Sequence, residues 1–561
     1  MSLSRSILLY LTSFLTLTII QSSDITLPPG IPDIVTISTG QVEGVNSVSN
    51  NLKYYLAIPY AASTDGPNMF RPPQPRTPWT GVLDCTQWGA GCIQTHHNPD
   101  VPSNTSFDCL NVNVFTPTNA SSSTKLPVMV FIHGGAWLEG SNQGPFFIYA
   151  GAYMASQQNV IVVSLNYRLG VFGWLTLGNT ETGEVINGNY GIQDEIAALQ
   201  WVQTNIAAFG GDPTQVTVFG ESAGGMSIGI LLSTPKAQGL FSKAIMESNV
   251  GGFNYKNISE ASIYGSTFCS AVNCTSKTTS LCNTTCLRNT NPYVLESAWN
   301  DATNNVPDFI ITNLPHILDG LLGTGPTVDQ EWLPVEPLDA VESGNYWGKN
   351  IPLLIGTNTN EGETFIYDGV DFVLPNFLVP LAYIGLFDFN ETAAKLVDQQ
   401  PRYNSSAYPD GRTPLSQVVT DYWFACATQK FLQSAYKNSA PTYAYRYNHV
   451  YSNSSIFPTF GLPEICATAV CHASELPFVF HNVPNFTSFT PDEDVLSATM
   501  VTYWTNFAKY GNPNGQSNSD LFSWPVWEPT NRNRIVLNTN LSSESTSEIC
   551  GFWDSLGGYF F

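Results

Sequence analysis

The stretch Val216–Gly225, V-T-V-F-G-E-S-A-G-G, puts a serine where an alcohol can act as a nucleophile. Val216 to Phe219 are β-branched or aromatic, the composition of a buried strand. Ser222 sits at the centre of G-E-S-A-G, and the residues from Ala223 onward, A-G-G-M-S-I-G-I-L-L, read as a closely packed helix. A strand, a sharp turn and a helix lift the serine oxygen clear of the sheet edge, and glycines flank it because side chains would collide with the turn. The backbone N–H of Ala223, at the helix start, points to the same place and suits an oxyanion. A solitary G-x-S-x-G also occurs as an ordinary glycine-rich turn, so its partners must be sought elsewhere in the chain.

A serine needs a base within hydrogen-bond reach, and the base needs an orienting acid. On this kind of turn the order along the chain is serine, acid, histidine. Of seven histidines, His96, His97 and His133 precede Ser222, and His316 leaves only a short, patternless stretch for the acid. His449, His472 and His481 remain. His472 lies in Cys466–Phe480 (C-A-T-A-V-C-H-A-S-E-L-P-F-V-F), a loop bracketed by two cysteines after a tyrosine-rich strand. His449 ends a strand and His481 follows an apolar run, so both read more easily as structural or exposed. For the acid, the apolar run Pro352–Gly356 leads into T-N-T-N-E-G-E, which holds Glu361 and Glu363. Gly362 favours Glu361 by letting the backbone turn sharply after it. A second source of N–H groups follows the apolar run Pro127–Ile132, at His133-Gly134-Gly135. Glycines there leave backbone N–H groups free and admit a carbonyl, while His133 itself reads as structural.

These groups need a scaffold that carries strand ends to one rim. Pro127–Ile132 and Val160–Asn166 are near-continuous apolar runs, as in central strands covered on both faces. Tyr190–Phe209 predicts an amphipathic helix, with Ile192, Ile196, Leu199, Val202 and Ile206 at helical spacing. Lys243–Glu247 and Thr442–Tyr447 read as further buried strands, Val35–Val45 as an edge hairpin, and Tyr54–Tyr60 and Leu110–Phe115 as short strands. Strands alternating with helices imply an α/β fold with a central, mostly parallel sheet and sites at the carboxyl ends of its strands. Cys269–Cys286 and Asp301–Val341 lack periodicity and read as long insertions around the active-site mouth.

The 561 residues show no repeat, linker or charge block, which predicts one catalytic domain over 24–561. Met1–Ser23 reads as a cleaved signal peptide: Arg5, then an apolar run too short and hydroxyl-rich for a membrane span. No second run of spanning length follows, and Gly551–Phe561 lacks an anchor-type tail. Eleven cysteines suit an oxidising compartment. Sequons begin at Asn104, Asn119, Asn257, Asn273, Asn283, Asn390, Asn404, Asn453, Asn485 and Asn540, so N-linked glycans are expected. A secreted or secretory-vesicle location follows. The net charge of −23 disfavours nucleic acid and anionic membranes as partners. No zinc spacing, phosphate loop or dinucleotide fingerprint calls for a metal or cofactor.

The residues together carry a resemblance. Phe209–Gly224 (F-G-G-D-P-T-Q-V-T-V-F-G-E-S-A-G), Val160–Leu175 and Gly188–Pro213 look like the type-B carboxylesterase and cholinesterase family of the α/β-hydrolase fold, and the resemblance spans essentially everything after residue 23. Asp108-Cys109-Leu110 resembles a second signature, with Phe107 and Asn111 as departures. The resemblance implies Ser222 as nucleophile, Glu361 as acid and His472 as base, with Gly134, Gly135 and Ala223 as oxyanion donors. It implies a supporting serine near the acid at Ser248, although Asn249 replaces the usual glycine. It also implies disulfides Cys92–Cys109, Cys274–Cys286 and Cys426–Cys550. Cys269–Cys282 and Cys466–Cys471 are predicted as additions to that pattern, leaving Cys85 as the odd thiol. Cholinesterase-like members carry a tryptophan between the first two cysteines, whose ring binds choline. Ile93–Asp108 has none, so a choline-ester preference is not expected. The implied activity is hydrolysis of small carboxylic esters through an acyl-enzyme. The alternative is a non-catalytic adhesion, binding or storage protein on the same fold.

Overall fold

A computed structural model describes residues 27–94, 104–304, 325–370, 372–387, 389–438, 440–454, 462–484, 487–516, 521–546 and 549–556. The signal-peptide assignment, His96, His97, His316, Asn485 and most of the loop between Cys92 and Cys109 lie outside these residues.

The main sheet is built from β1 (Ile31–Ile37), β2 (Gly40–Ser47), β3 (Leu52–Pro59), β4 (Asn111–Thr116), β5 (Leu126–Ile132) and β6 (Ile161–Leu165). It continues with β7 (Gly211–Glu221), β8 (Lys243–Glu247), β9 (Leu353–Asn358), β10 (Thr442–Tyr447), β11 (Asn533–Leu537) and β12 (Ser542–Ser545). The spatial order is β1-β2-β3-β4-β6-β5-β7-β8-β9-β10-β11-β12, with the short strand Val82–Asp84 paired to β2. From β6 across to β11 every pairing is parallel, while the hairpin end and β12 pair antiparallel, apart from the parallel pairing of Val82–Asp84 with β2. This is the mostly parallel mixed sheet of an α/β-hydrolase.

Strand alternation divides the central side chains between two cores. Val128, Val130, Ile132, Val163, Val218, Met246 and Ile355 pack on one face. Met129, Phe131, Val162, Phe219, Ile245 and Leu354 pack on the other. Helix α1 (Tyr190–Asn205) covers the first face with Ile192, Ile196, Leu199 and Val202, each at most 3 % exposed. It stops earlier than its apolar spacing suggests, because Ile206–Phe209 tightens into a 3₁₀ turn before Gly210 in the left-handed region. Helix α2 (Ala223–Ser233) lies on the same face and is buried along its whole length. The second face is closed by a twenty-residue helix, Pro491–Tyr510, through Leu496, Met500, Val501 and Trp504.

The segments without periodicity are not wholly irregular. Thr284–Asn289 and Pro337–Ser343 are short helices, and disulfides Cys269–Cys282 and Cys274–Cys286 hold the first of these segments. Cys92–Cys109, Cys426–Cys550 and Cys466–Cys471 complete five bridges, and Cys85 is a buried free thiol. No described helix is long and apolar enough to cross a membrane.

Candidate active site

Ser222 stands at the end of β7, between that strand and α2, with φ 56° and ψ −123°. A non-glycine residue in such a conformation costs about 1–3 kcal/mol and persists only where its surroundings hold it. The holders are visible. Its N–H donates to Glu247 O on β8, and its carbonyl accepts from Met226 N in the first turn of α2. The flanking glycines are there for close approach: a Cβ on Gly220 would lie 2.7 Å from Ile132 O, and one on Gly224 would lie 2.0 Å from the same oxygen.

The acid comes from β9. Glu361 is the first residue of the helix Glu361–Gly369, here α3, and is fully buried. Its Oε1 accepts from Asn358 N at 2.6 Å and Ser248 Oγ at 2.7 Å; its Oε2 lies 2.6 Å from His472 Nδ1. Gly362 does not make the sharp turn that its sequence suggests, since Glu361 already begins a helix. A side chain at position 362 is excluded because its Cβ would sit 2.0 Å from Ser416 O. Glu363 accepts from Asn360 Nδ2 and has no bond to His472.

The loop carrying His472 is stitched to the β9–α3 corner. Asn360 N donates to Val470 O, Asn358 Nδ2 donates to Cys471 O, and Cys466–Cys471 closes the loop. His472 is 7 % exposed, with the rings of Phe365 and Phe424 at 5.0 and 5.2 Å from its imidazole. The other described histidines are occupied elsewhere. His449 meets Glu493 and Asn538, and His481 stacks on Tyr153 with Nδ1 at Ser497 Oγ. His133 stacks on Tyr167 and donates from Nδ1 to Gly134 O; burial pushes its pKa down to about 4.

One feature was not read from the sequence. His472 Nε2 lies 3.1 Å from Glu221 Oε1, the carboxylate immediately before the nucleophile. Among the described residues no hydrogen bond joins Nε2 to Ser222 Oγ, a contact that commonly tightens only when substrate binds. Burial pulls the imidazole pKa down, but the carboxylates of Glu221 and Glu361, and behind them Glu475, more than offset this and raise it to about 9. Burial likewise pushes Glu221 up to about 8 and Glu475 to about 7, and drives Glu247 well above the usual carboxylate range. Such groups titrate together, so it is the proton load of the cluster that is shifted upward. The available signal was a glutamate at the variable position of G-x-S-x-G, which sequence reasoning passed over.

Gly134 packs against the serine: a Cβ there would lie 2.8 Å from Glu221 Oε2 and 3.0 Å from Ser222 Cβ. Gly135 has φ 94° and Ala136 φ 53°. The N–H groups of Gly134, Gly135 and Ala136 donate to no described acceptor, and that of Ala223 is one of the unpaired donors at a helix start. Ala136 was not singled out in the sequence, although it continues the same run. Among the described residues no group of three or more His, Cys, Asp or Glu is placed to hold a metal ion.

This arrangement, a buried carboxylate on an imidazole beside a strained serine and free N–H groups, suits acyl transfer. The carboxylesterase family matches residues 32–553. Para-nitrobenzyl esterase of Bacillus subtilis (strain 168) is 34 % identical over 529 residues, 92 % of this chain and 96 % of that protein. A crystal protein of Dictyostelium discoideum is 31 % identical over 93 % of this chain and 90 % of its own length. The solved structure of a thermophilic para-nitrobenzyl esterase superposes with a TM-score of 0.76 at 32 % identity, over 94 % of this chain and all of that one. The chain therefore belongs to the carboxylesterase family, and its class of activity is carboxylic ester hydrolysis.

Proposed function

We propose that the protein is a serine esterase that works through an acyl-enzyme on Ser222. His472 Nε2 takes the hydroxyl proton as Oγ bonds to the ester carbonyl carbon. The carbonyl oxygen becomes an oxyanion and is received by the N–H groups of Gly134, Gly135 and Ala223, with that of Ala136 alongside. As the tetrahedral species collapses, the alkoxide leaves with the proton from His472. Water then attacks the acyl-serine by the same steps in reverse roles, releasing the acid and restoring Ser222. Glu361 holds Nδ1–H and stabilises the imidazolium. Ser248 keeps Glu361 in place.

The observation that carries this reading is the 2.6 Å contact of Glu361 with His472, presented at the same strand rim as the turn that bears Ser222. Hydrolysis of 4-nitrophenyl acetate and butyrate by the purified chain tests it, beside Ser222→Ala. Fluorophosphonate labelling with peptide mapping names the nucleophile independently. Equal rates for the two proteins, with no label on Ser222, would favour the storage or adhesion alternative.

We further propose a chain that enters the secretory pathway, loses residues 1–23 and works as one catalytic domain over 24–561 in a secreted or vesicle-lumen setting. Five disulfides support an oxidising compartment. Exposed Asn104, Asn119, Asn257, Asn390 and Asn540 are open to glycosylation. Asn283 and Asn453 are less suited, because their side-chain amide nitrogens, the atoms a glycan would occupy, donate to Glu181 and to Ser488 O. Mass analysis of the secreted chain before and after enzymatic deglycosylation checks both points.

A further inference from the structure

The loop that follows β5 and the helix that follows Ser222 supply the two halves of the proposed oxyanion site, and one hydrogen bond ties them together. Ala136 and Trp137 are successive non-glycine residues in the left-handed region, at φ 53° and 59°. L residues stay there only when neighbouring structure holds them. Trp137 is held at both ends. Its carbonyl accepts from Gly170 N at 2.8 Å and from Trp174 Nε1 at 3.0 Å. Its indole N–H donates to Ser227 Oγ at 3.1 Å. Ser227 lies on α2, the helix whose first residue is Ala223.

Ser227 has a single hydroxyl proton, and it is spent on Glu195: Oγ donates to Oε1 at 2.8 Å. That leaves a lone pair on Oγ turned to the indole. Glu195 belongs to α1 and is fully buried, as are Ser227 and Trp137. Among the described residues no cation pairs with it, and Arg168 is engaged by Asp194 through Nε and Nη2. Burial drives its carboxyl well above the usual range, against the hydrogen bond from Ser227. A neutral acid still offers an acceptor oxygen, and its interior position gives Ser227 no competing water. Trp137, Ser227 and Glu195 thus form a continuous buried hydrogen-bonded chain from the loop through α2 to α1.

We infer that Glu195, Ser227 and Trp137 form a clamp that sets the spacing between the oxyanion-loop N–H groups and Ala223 N–H, making them positioning residues for the hydrolysis proposed above. The inference rests on that reading. An oxyanion donor is effective only within hydrogen-bond distance of the oxygen as it becomes charged. Loosening the clamp therefore weakens binding of the transition state and leaves ground-state binding alone.

The test uses the full-length chain with Ser227→Ala, Trp137→Phe and their double variant. Each single variant is expected to lower kcat on 4-nitrophenyl butyrate roughly tenfold or more, a part of the ~10²–10³ that loss of a whole donor costs, with KM within twofold. Affinity for an aryl trifluoromethyl ketone, which adds to Ser222 and places an oxyanion in the site, is expected to fall in parallel. Affinity for the matching alcohol should hold, and so should the midpoints of the pH profile. The double variant should lose no more than the worse single one, since both cut the same link. Glu195→Gln, which keeps an acceptor for the Ser227 hydroxyl, should restore what Glu195→Leu loses. If Glu195→Leu does not fold, Ser227→Ala and Trp137→Phe decide alone. Full kcat and full ketone affinity in those two variants would overturn the clamp while wild-type turnover upheld the esterase. Multiplying losses in the double variant would overturn it as well. A wild type without Ser222-dependent turnover would remove esterase and clamp together.

Discussion

Replacing Glu221 by glutamine tests whether the carboxylate before the nucleophile sets the pH at which the site works. His472 must be neutral to accept the proton of Ser222. Burial lowers its pKa, but Glu221, 3.1 Å from Nε2, and Glu361 more than offset this and raise it from 6.5 to about 9. A rise of this size corresponds to about 3 kcal/mol of preference for the imidazolium, since one pH unit is about 1.4 kcal/mol. Glu361, at 2.6 Å from Nδ1, supplies the other main share. Burial lifts Glu221 itself to about 8, so its charge acts on the ring in the alkaline part of the profile, and removing that charge should lower the midpoint there by about 1–2 pH units. The sign follows directly: less negative charge near the ring makes its proton easier to lose, so the acidic limb of kcat/KM moves to lower pH. Relative to its own alkaline plateau, the variant should thus hold more of its activity on the acidic side of the profile than the wild type does. The assay is kcat/KM for 4-nitrophenyl butyrate from pH 5 to 10, corrected for spontaneous hydrolysis. Each profile is scaled to its plateau, so any change in absolute rate drops out. Midpoints that agree within about 0.3 unit, or a variant limb shifted to higher pH, would refute the electrostatic argument.

Other expected outcomes follow from the same geometry. Ser248→Ala removes a hydrogen bond to the buried Glu361 carboxylate, worth about 1.5–3 kcal/mol; kcat should fall about tenfold or more with little change in KM, as steady-state kinetics would show. Gly224→Ala drives a methyl into Ile132 O, 2.0 Å from the new Cβ, so the strand–turn–helix junction must open; the variant should lose its soluble yield or unfold at a clearly lower temperature in a calorimeter. Loop-closure entropy gives Cys426–Cys550, 124 residues apart, about 5 kcal/mol and Cys466–Cys471, five apart, about 2 kcal/mol. Serine pairs at the first bridge should lower the denaturation midpoint more, and pairs at the second should lower kcat more, because that loop carries His472.

Much of the fold was legible because its rules are local. The run of buried strand, glycine, serine, glycine and helix at 216–225 reads as a strand, a turn and a helix from neighbouring residues alone, and the apolar runs of β5, β6 and β9 announce strands covered on both sides. The end of α1 was less legible, because the periodic Ile206 continues into a 3₁₀ turn that only the following left-handed Gly210 imposes. The short helices at Thr284–Asn289 and Pro337–Ser343 were missed since six or seven residues are too few to show a period. Gly362 was given the wrong reason for the same cause: backbone freedom is visible in a glycine, whereas the carbonyl of Ser416, fifty-four residues on, is not.

Residue types and their order along the chain were enough to nominate a serine, a following acid and a later histidine, since the covalent sequence of strand ends fixes who arrives in what order. Which carboxylate touches the ring, and what else surrounds it, depended on the parallel register of β7, β8 and β9, which brings Ser222, Ser248 and Glu361 to one edge across 139 residues of chain. Glu221 makes the point most plainly. It is the nearest neighbour of Ser222 in sequence, but only the twist of the turn and the docking of the Cys466–Cys471 loop direct its carboxylate at His472, and interactions of that kind act through space, where chain distance carries no information.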